Sequence, residues 1–359
     1  MTEPAAARPA FEGEIQSLQF LRFLAALMVV VYHAGFAARQ HGLLGPAQDA
    51  WLDLTAIGKS GVHIFFVISG FIMVYATRHS GRDGQATGRF LYRRVVRIYP
   101  IYWLYCGLYA AFHAWILHPH ALAPWDVLGA LLLWPGHSAM IIGPGWTLSY
   151  EVYFYLCFAA CMPLGAPLSL RTLTGLIVSA VAAGFLIGKG GPSFEVLTST
   201  LLLEFLAGVW IAVLVIGDRP LPALVAPAAI ACAAAGFLAP AFLGFPDIPT
   251  VILWGVPSAL LVFGMTLQER RRRTPRIVRR LSPLGNGSYS LYLLHNLLLD
   301  VIFVALLAAG ASDRHGWAWT ALAVLACCVV SAHAYRFVEA PLLAGLVHRR
   351  RRPIGAAAG

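Results

Sequence analysis

The chain has 359 residues, of which 59% are hydrophobic and only 12% charged, with a mean hydropathy of +0.72. Water-soluble domains carry roughly 25% charged residues, so the composition excludes an ordinary soluble globule. The net charge of +10 does not indicate a nucleic-acid partner: the basic residues form short blocks between apolar runs, such as "QERRRRTPRIVRR", and between membrane spans such blocks are topology signals.

Residues 1–16 read as a cytoplasmic tail that is disordered or lies on the surface. They do not read as a signal peptide, because the basic n-region is poor and the first apolar run carries Arg22 and His33. Ten spans follow, at about 19–38, 58–77, 97–117, 146–164, 172–188, 195–216, 222–241, 250–267, 288–309 and 317–338, each close to the ~20 apolar residues that cross a bilayer. The stretch "VLGALLLWP" at 127–135 is too short to cross and reads as a loop or a re-entrant segment. Alternate connections hold Arg78 to Arg97, Arg171, Arg219 and Arg270 to Arg280, and the chain ends in Arg349 to Arg352. The opposite set holds only Arg39, Lys59, Lys189 and Arg314 as fixed cations. Positive-inside bias therefore predicts an all-α integral membrane protein with both termini cytoplasmic, a transmembrane domain over 17–342 and a basic tail over 343–359.

The six cysteines lack disulfide or zinc spacing and read as small hydrophobes. Neither a Rossmann fingerprint nor a P-loop is present, "IGKGG" at 187–191 having the wrong spacing. No metal centre is expected.

Titratable groups inside spans are costly and count as functional candidates. Arg22 and His33 are eleven residues apart, a turn of about 1100°, which puts them on one helix face about 16 Å apart along the axis. Each alone could be an anchor or a packing residue. Glu151, in "GPGWTLSYEVYFY", falls about five residues into its span from the outer side, the depth expected for His33. A carboxylate beside an imidazole would fix its tautomer and raise its basicity. Arg93, Arg94 and Arg97 bunch at the cytoplasmic start of the third span, where arginine forks suit phosphate oxygens; for Arg93, topological anchoring suffices. Ser69 and Gly70 read first as a site of close helix packing, second as an approach for substrate. Glu204 and His295 either line a cavity or are satisfied structural polar residues, and Trp146 and Ser149 join them as substrate-pocket candidates. Glu339 is expected to pair with Arg336 or another arginine.

Six stretches in order, "LRFLAALMVVVYHAGF", "GVHIFFVISGFIM", "RRVVRIYP", "WTLSYEVYFY", "SYSLYLLHN" and "RFVEAPL", resemble the membrane-bound acyltransferase family 3, most of all its exopolysaccharide O-acetyltransferase branch, over about 17–342. The resemblance implies ten helices in the bacterial inner membrane and transfer of an acyl group, commonly acetyl, from cytoplasmic acyl-CoA to a hydroxyl of an extracytoplasmic glycan. By motif it makes His33 the catalytic histidine, Glu151 the acid of the "WSLxxE" element, and Arg22, Arg94 and Arg97 residues of the donor entrance. Thr147 stands where serine is commoner. The esterase-like domain that some relatives carry is not expected from these residues. Beyond acetyl-CoA, glycan and bilayer, the reading leaves room for a homo-oligomer. The rival reading is a transporter or flippase for a glycan or glycolipid, which buried titratable residues also fit.

Overall fold

The computed structural model describes residues 11, 13–45, 52, 54–116, 122–217, 220–272 and 274–349. Arg219, Arg350 to Arg352 and most of the expected N-terminal tail lie outside them. The described regular structure is entirely helical, as expected where lipid cannot satisfy backbone polar groups. In chain order the helices are α1 (Gln16–Gln40), α2 (Ser60–Thr77), α3 (Gly84–Ile116), α4 (Pro124–Leu131), α5 (Trp146–Cys161), α6 (Leu168–Ile187) and α7 (Pro192–Leu197). Then come α8 (Leu202–Ile216), α9 (Val225–Leu243), α10 (Val256–Arg271), α11 (Arg276–Leu281), α12 (Ser288–Ala308), α13 (Gly316–Ala334) and α14 (Ala340–Arg349).

Eight helical stretches among the described residues are long and apolar enough to cross a bilayer, and they cover eight of the ten expected spans. The protein is thus an all-α integral membrane protein. The other two expected spans fall on α3 and α5, and each departs from a plain hydrophobic span for a physical reason. Helix α5 has 16 residues, about 24 Å against a hydrocarbon core of about 30 Å. Helix α3 dilutes its apolar content with Tyr99, Tyr102, Trp103, Tyr105 and Tyr109, all of which donate hydrogen bonds or pair with a hydroxyl.

The chain packs as two compact units, each discontinuous in sequence: residues 1–29, 53–79 and 200–286, and residues 30–52, 80–199 and 287–359. In the first unit α2 packs along α8, and α10 against α8, α9 and α2. Two glycines set the closeness of the α2–α8 pair. A Cβ on Gly70 would sit 1.9 Å from the Phe205 carbonyl oxygen, and one on Gly208 would sit 1.9 Å from that of Val67. Around this seam Leu21, Ala25, Ile64, Val67, Phe71, Ile211 and Val215 form the core. Glu269 closes the start of α1, accepting from Gln16 N–H at 2.9 Å and Ser17 N–H at 2.6 Å. Those are donors that a helix start cannot satisfy internally.

In the second unit α3 packs against α5, α12 and α14, while α12 packs along α13 and α5 along α6 and α7. The short apolar stretch at 127–135 lies against the middle of α3. Tyr99 and Tyr102 donate to the carbonyls of Leu132 and Ala130 at 3.2 and 2.9 Å, and Trp103 Nε1 to that of Leu131 at 2.9 Å. Leu133 adopts a left-handed φ of 58°, and its carbonyl is held by Ser149 Oγ at 2.7 Å. The segment therefore folds back beside α3, and α5 starts level with Tyr102.

Replacing Gly70 by alanine should overpack the seam and cost about 1–3 kcal/mol. Gly107, in α3 with open space around it, should tolerate alanine without loss. Unfolding temperatures of the two variants in detergent check this; equal temperatures would contradict the close α2–α8 packing.

Candidate functional site

The polar residues of the second unit are organised by α12. Its sequence places hydroxyls and an imidazole at 289, 292 and 295, an i, i+3, i+6 series on one side of the helix. Tyr289 donates to the Ile98 carbonyl at 2.9 Å. The Tyr292 hydroxyl meets Thr147 Oγ1 at 3.0 Å, and Thr147 in turn donates to the Pro144 carbonyl at 3.0 Å. The threonine that stands where serine is commoner thus keeps the hydroxyl in use. Ser290 lies off this line, donates to Glu339 Oε2 at 2.6 Å and meets the Tyr105 hydroxyl at 2.8 Å. Glu339 is therefore anchored on a serine, while Arg336 lies over the Phe337 ring.

His33 and His295, read separately from the sequence, are brought together. His295 Nε2 is 3.3 Å from His33 Nδ1, with ring centroids 4.9 Å apart. His295 is fully buried, and its Nδ1 is 2.6 Å from the Tyr292 carbonyl oxygen. A carbonyl only accepts, so Nδ1 of His295 carries the proton. In the neutral ring Nε2 is then the acceptor, and His33 Nδ1–H donates to it. The network thereby assigns the lone pair of neutral His33 to Nε2. Tyr32 flanks His33 edge-on at 4.9 Å between ring centroids.

Glu151 departs from its expected place at the outer depth. Tyr155, one turn along α5, donates its hydroxyl to the Glu151 carboxylate. The Tyr155 ring centroid lies 5.5 Å from the Arg94 guanidinium carbon, and Phe90 flanks the same guanidinium at 5.4 Å. Glu151 is within electrostatic range of Arg94 and also of Tyr292. The reason is the fold-back at 127–135: α5 starts in the middle of α3 and runs toward the arginines, so five residues into α5 is not five residues from an outer boundary. Arg94 is half-buried with Nε unpartnered, whereas Arg93 and Arg97 are exposed.

The remaining candidates divide between the units. Ser149 anchors Leu133, and Trp146 is 40% exposed with its ring edge-on to Tyr150. In the first unit, Gly70 faces the Phe205 backbone, the packing arrangement, and Ser69 beside it is half-buried. Arg22 is buried there and donates to Gln19 Oε1 at 3.2 Å. Glu204 pairs with His63, its Oε1 2.6 Å from Nδ1. Sequence reasoning passed over His63, Tyr155, Tyr289 and Tyr292. The signal for the tyrosines was their spacing from Glu151 and His295, one turn for Tyr155 and Tyr292 and nearly two for Tyr289; His63 had no such signal, its partner being 141 residues away.

The chain matches the family described as acyltransferase domain over residues 15–336. It is 33% identical over 299 residues to the exopolysaccharide production protein ExoZ of Rhizobium meliloti (strain 1021), covering 80% of this chain and 90% of that protein. It is 28% identical over 386 residues to the acyltransferase MdmB of Streptomyces mycarofaciens, covering 96% and 95% of the two chains. No solved structure gives a significant match. A match across nearly the whole chain, joined to an all-helical membrane fold, places this protein in the membrane-bound acyltransferase family 3.

Proposed function

We propose that the protein transfers an acyl group, acetyl foremost, from a cytoplasmic acyl-CoA to a hydroxyl of an extracytoplasmic glycan, as a multi-pass enzyme of a bacterial inner membrane. The observation that carries the reading is the His33–His295 pair, which puts a basic lone pair on His33 Nε2 inside a family acyltransferase. The glycan acceptor is supported by similarity to a protein named for exopolysaccharide production.

In this mechanism His33 Nε2 takes the proton of the attacking hydroxyl while its oxygen bonds to the thioester carbonyl carbon. The tetrahedral intermediate collapses to the ester and breaks the C–S bond. The leaving thiolate receives the proton from the His33 imidazolium, so free coenzyme A departs and the ring returns neutral. General-base action of this kind is worth about 10²–10⁴-fold. His295 is a positioning residue that holds the His33 tautomer. Arg94, with Arg97 and Arg93 nearby in sequence, takes the coenzyme A phosphates, its unpartnered Nε being suited to an anion. Glu151 holds Arg94 in place through Tyr155. Tyr109, whose hydroxyl holds the Leu293 carbonyl and the Leu297 N–H, marks the level of His295 on α3. From Arg94 to Tyr109 the helix rises about 22 Å, close to the ~15–20 Å reach of extended pantetheine with its cysteamine end.

His33→Ala should reduce coenzyme A release and glycan labelling by about 10²–10⁴-fold while acetyl-CoA still binds, measured with purified protein in lipid and an extracellular glycan extract. Normal thioester consumption by this variant would sink the base assignment; no consumption by wild type with any acceptor would favour the transporter reading. A covalent acyl-protein trapped without acceptor would replace the base by a nucleophilic His33.

His295→Phe should lower kcat about 10- to 100-fold, the usual cost of losing an orienting partner, with KM for acyl-CoA unchanged. His295→Asn, whose amide oxygen can accept from Nδ1–H, should restore part of it. A rise in KM together with the fall in kcat, without rescue, would mean that His295 is only structural.

Arg94→Gln should raise KM for acyl-CoA about 10-fold or more, the loss of one charge-assisted contact, with little change in kcat. An unchanged KM would remove Arg94 from the donor site.

A further inference from the structure

The second buried histidine–carboxylate contact, in the first unit, has no part in that chemistry. His63 on α2 and Glu204 on α8 are 6% and 2% exposed, and their side chains meet at 2.6 Å through Nδ1 and Oε1. The other carboxylate oxygen, Oε2, is buried with no hydrogen-bond partner. Beside it the chain entering α10 widens into a π-helical turn over Val251–Gly255, with the Val256 N–H bonded to the Val251 carbonyl. The cause is Pro257, which has no N–H to offer the carbonyl four residues earlier. The Glu204 side chain lies directly on this turn: a Cβ on Gly255 would come within 2.7 Å of Oε1 and 3.1 Å of the carboxyl carbon. Three residues on, and so on the same side of the helix, Ser258 is fully buried, and its Oγ is likewise unpartnered.

Two orphaned side-chain oxygens thus lie about Gly255, one on the carboxylate packed against it and one on the serine three residues further along. A buried carboxylate with half its acceptor capacity unused is costly. With His63 neutral and donating Nδ1–H, an ionised Glu204 would leave the pair with one uncompensated negative charge far from solvent. Isolated buried charge calls for a counter-charge. Among the described residues no trio of His, Cys, Asp or Glu converges to hold a metal ion, and the groups here are hard oxygens, suited to an alkali cation and not to a transition metal. A turn widened inside a membrane helix is also the kind of place where intramembrane ions bind.

We propose that Glu204 Oε2, Ser258 Oγ and the Val251–Gly255 turn form a binding site for a monovalent alkali cation, with His63 holding the other carboxylate oxygen in place. Occupancy ties α2, α8 and the start of α10 together and stabilises the first unit in proportion to RT ln(1 + [L]/Kd).

The experiment uses full-length protein in nanodiscs of neutral lipid, in NaCl, KCl or choline chloride at equal ionic strength. Unfolding temperature and binding of radioactive sodium are both measured. Wild type should show saturable sodium or potassium stabilisation over choline. Ser258→Ala should weaken it about tenfold, and Glu204→Gln should abolish it. Because Glu204→Gln risks misfolding, saturable isotope binding by wild type and its weakening in Ser258→Ala suffice to decide. Identical unfolding in all three salts with no saturable binding would mean that Oε2 meets only water or carries its own proton, and the proposal fails. Undiminished binding in Ser258→Ala and Glu204→Gln would place the cation elsewhere and overturn it equally.

Discussion

The constraint on which the rest depends is that hydrogen-bonding groups in a bilayer must find partners inside the protein. In the second unit this need is met by aromatic and aliphatic hydroxyls and an indole N–H reaching the backbone of neighbouring segments. Tyr99, Tyr102 and Trp103 hold three successive carbonyls of the 127–135 stretch, Ser149 holds the next, and Tyr289 holds Ile98. Each neutral bond contributes only about 0.5–1.5 kcal/mol net, but leaving its partner bare would cost about 1–3 kcal/mol. The bonds therefore act mainly as addresses: they decide which segment lies beside which.

That addressing creates the site. By folding back on α3, the 127–135 stretch moves the start of α5 to mid-helix and carries Glu151 toward Arg94. The same need for partners fixes His295, whose Nδ1 is committed to the Tyr292 carbonyl and whose Nε2 is thereby turned into an acceptor. A basic nitrogen on His33 follows from a backbone carbonyl two bonds away in the network. The first unit meets the constraint in the opposite way, bringing the α2 and α8 backbones together over Gly70 and Gly208 and leaving few polar groups to satisfy. His63, Glu204 and Ser258 are among the polar groups buried there, which is why they invite a chemical explanation.

Much of this was legible in the chain. Composition excluded water as the solvent, apolar run lengths located the helices, and the arginine–histidine spacing on α1 and the order of six motifs led to the family that the chain matches over residues 15–336. Gly70 reads from sequence as a packing glycine, and the structure places it against the Phe205 backbone. The depth of Glu151 did not read correctly, because counting residues from a span boundary assumes that the span starts at the surface. Helix α5 starts elsewhere, and the hydroxyl contacts that put it there join residues of distant segments.

Local chemistry in the sequence thus determined what each segment is: lipid-soluble helix, stretch too short to cross, or arginine-marked end. Those properties depend on side-chain solvation and on helical period, which each segment expresses alone. Only the tertiary structure decided which polar groups meet: His33 with His295 across 262 residues, Glu204 with His63 across 141, and Arg94 with the Tyr155–Glu151 pair on another helix. A hydrogen bond is short and directional, so its existence turns on a few tenths of an ångström in how helices pack, and no pattern along a single chain encodes that distance.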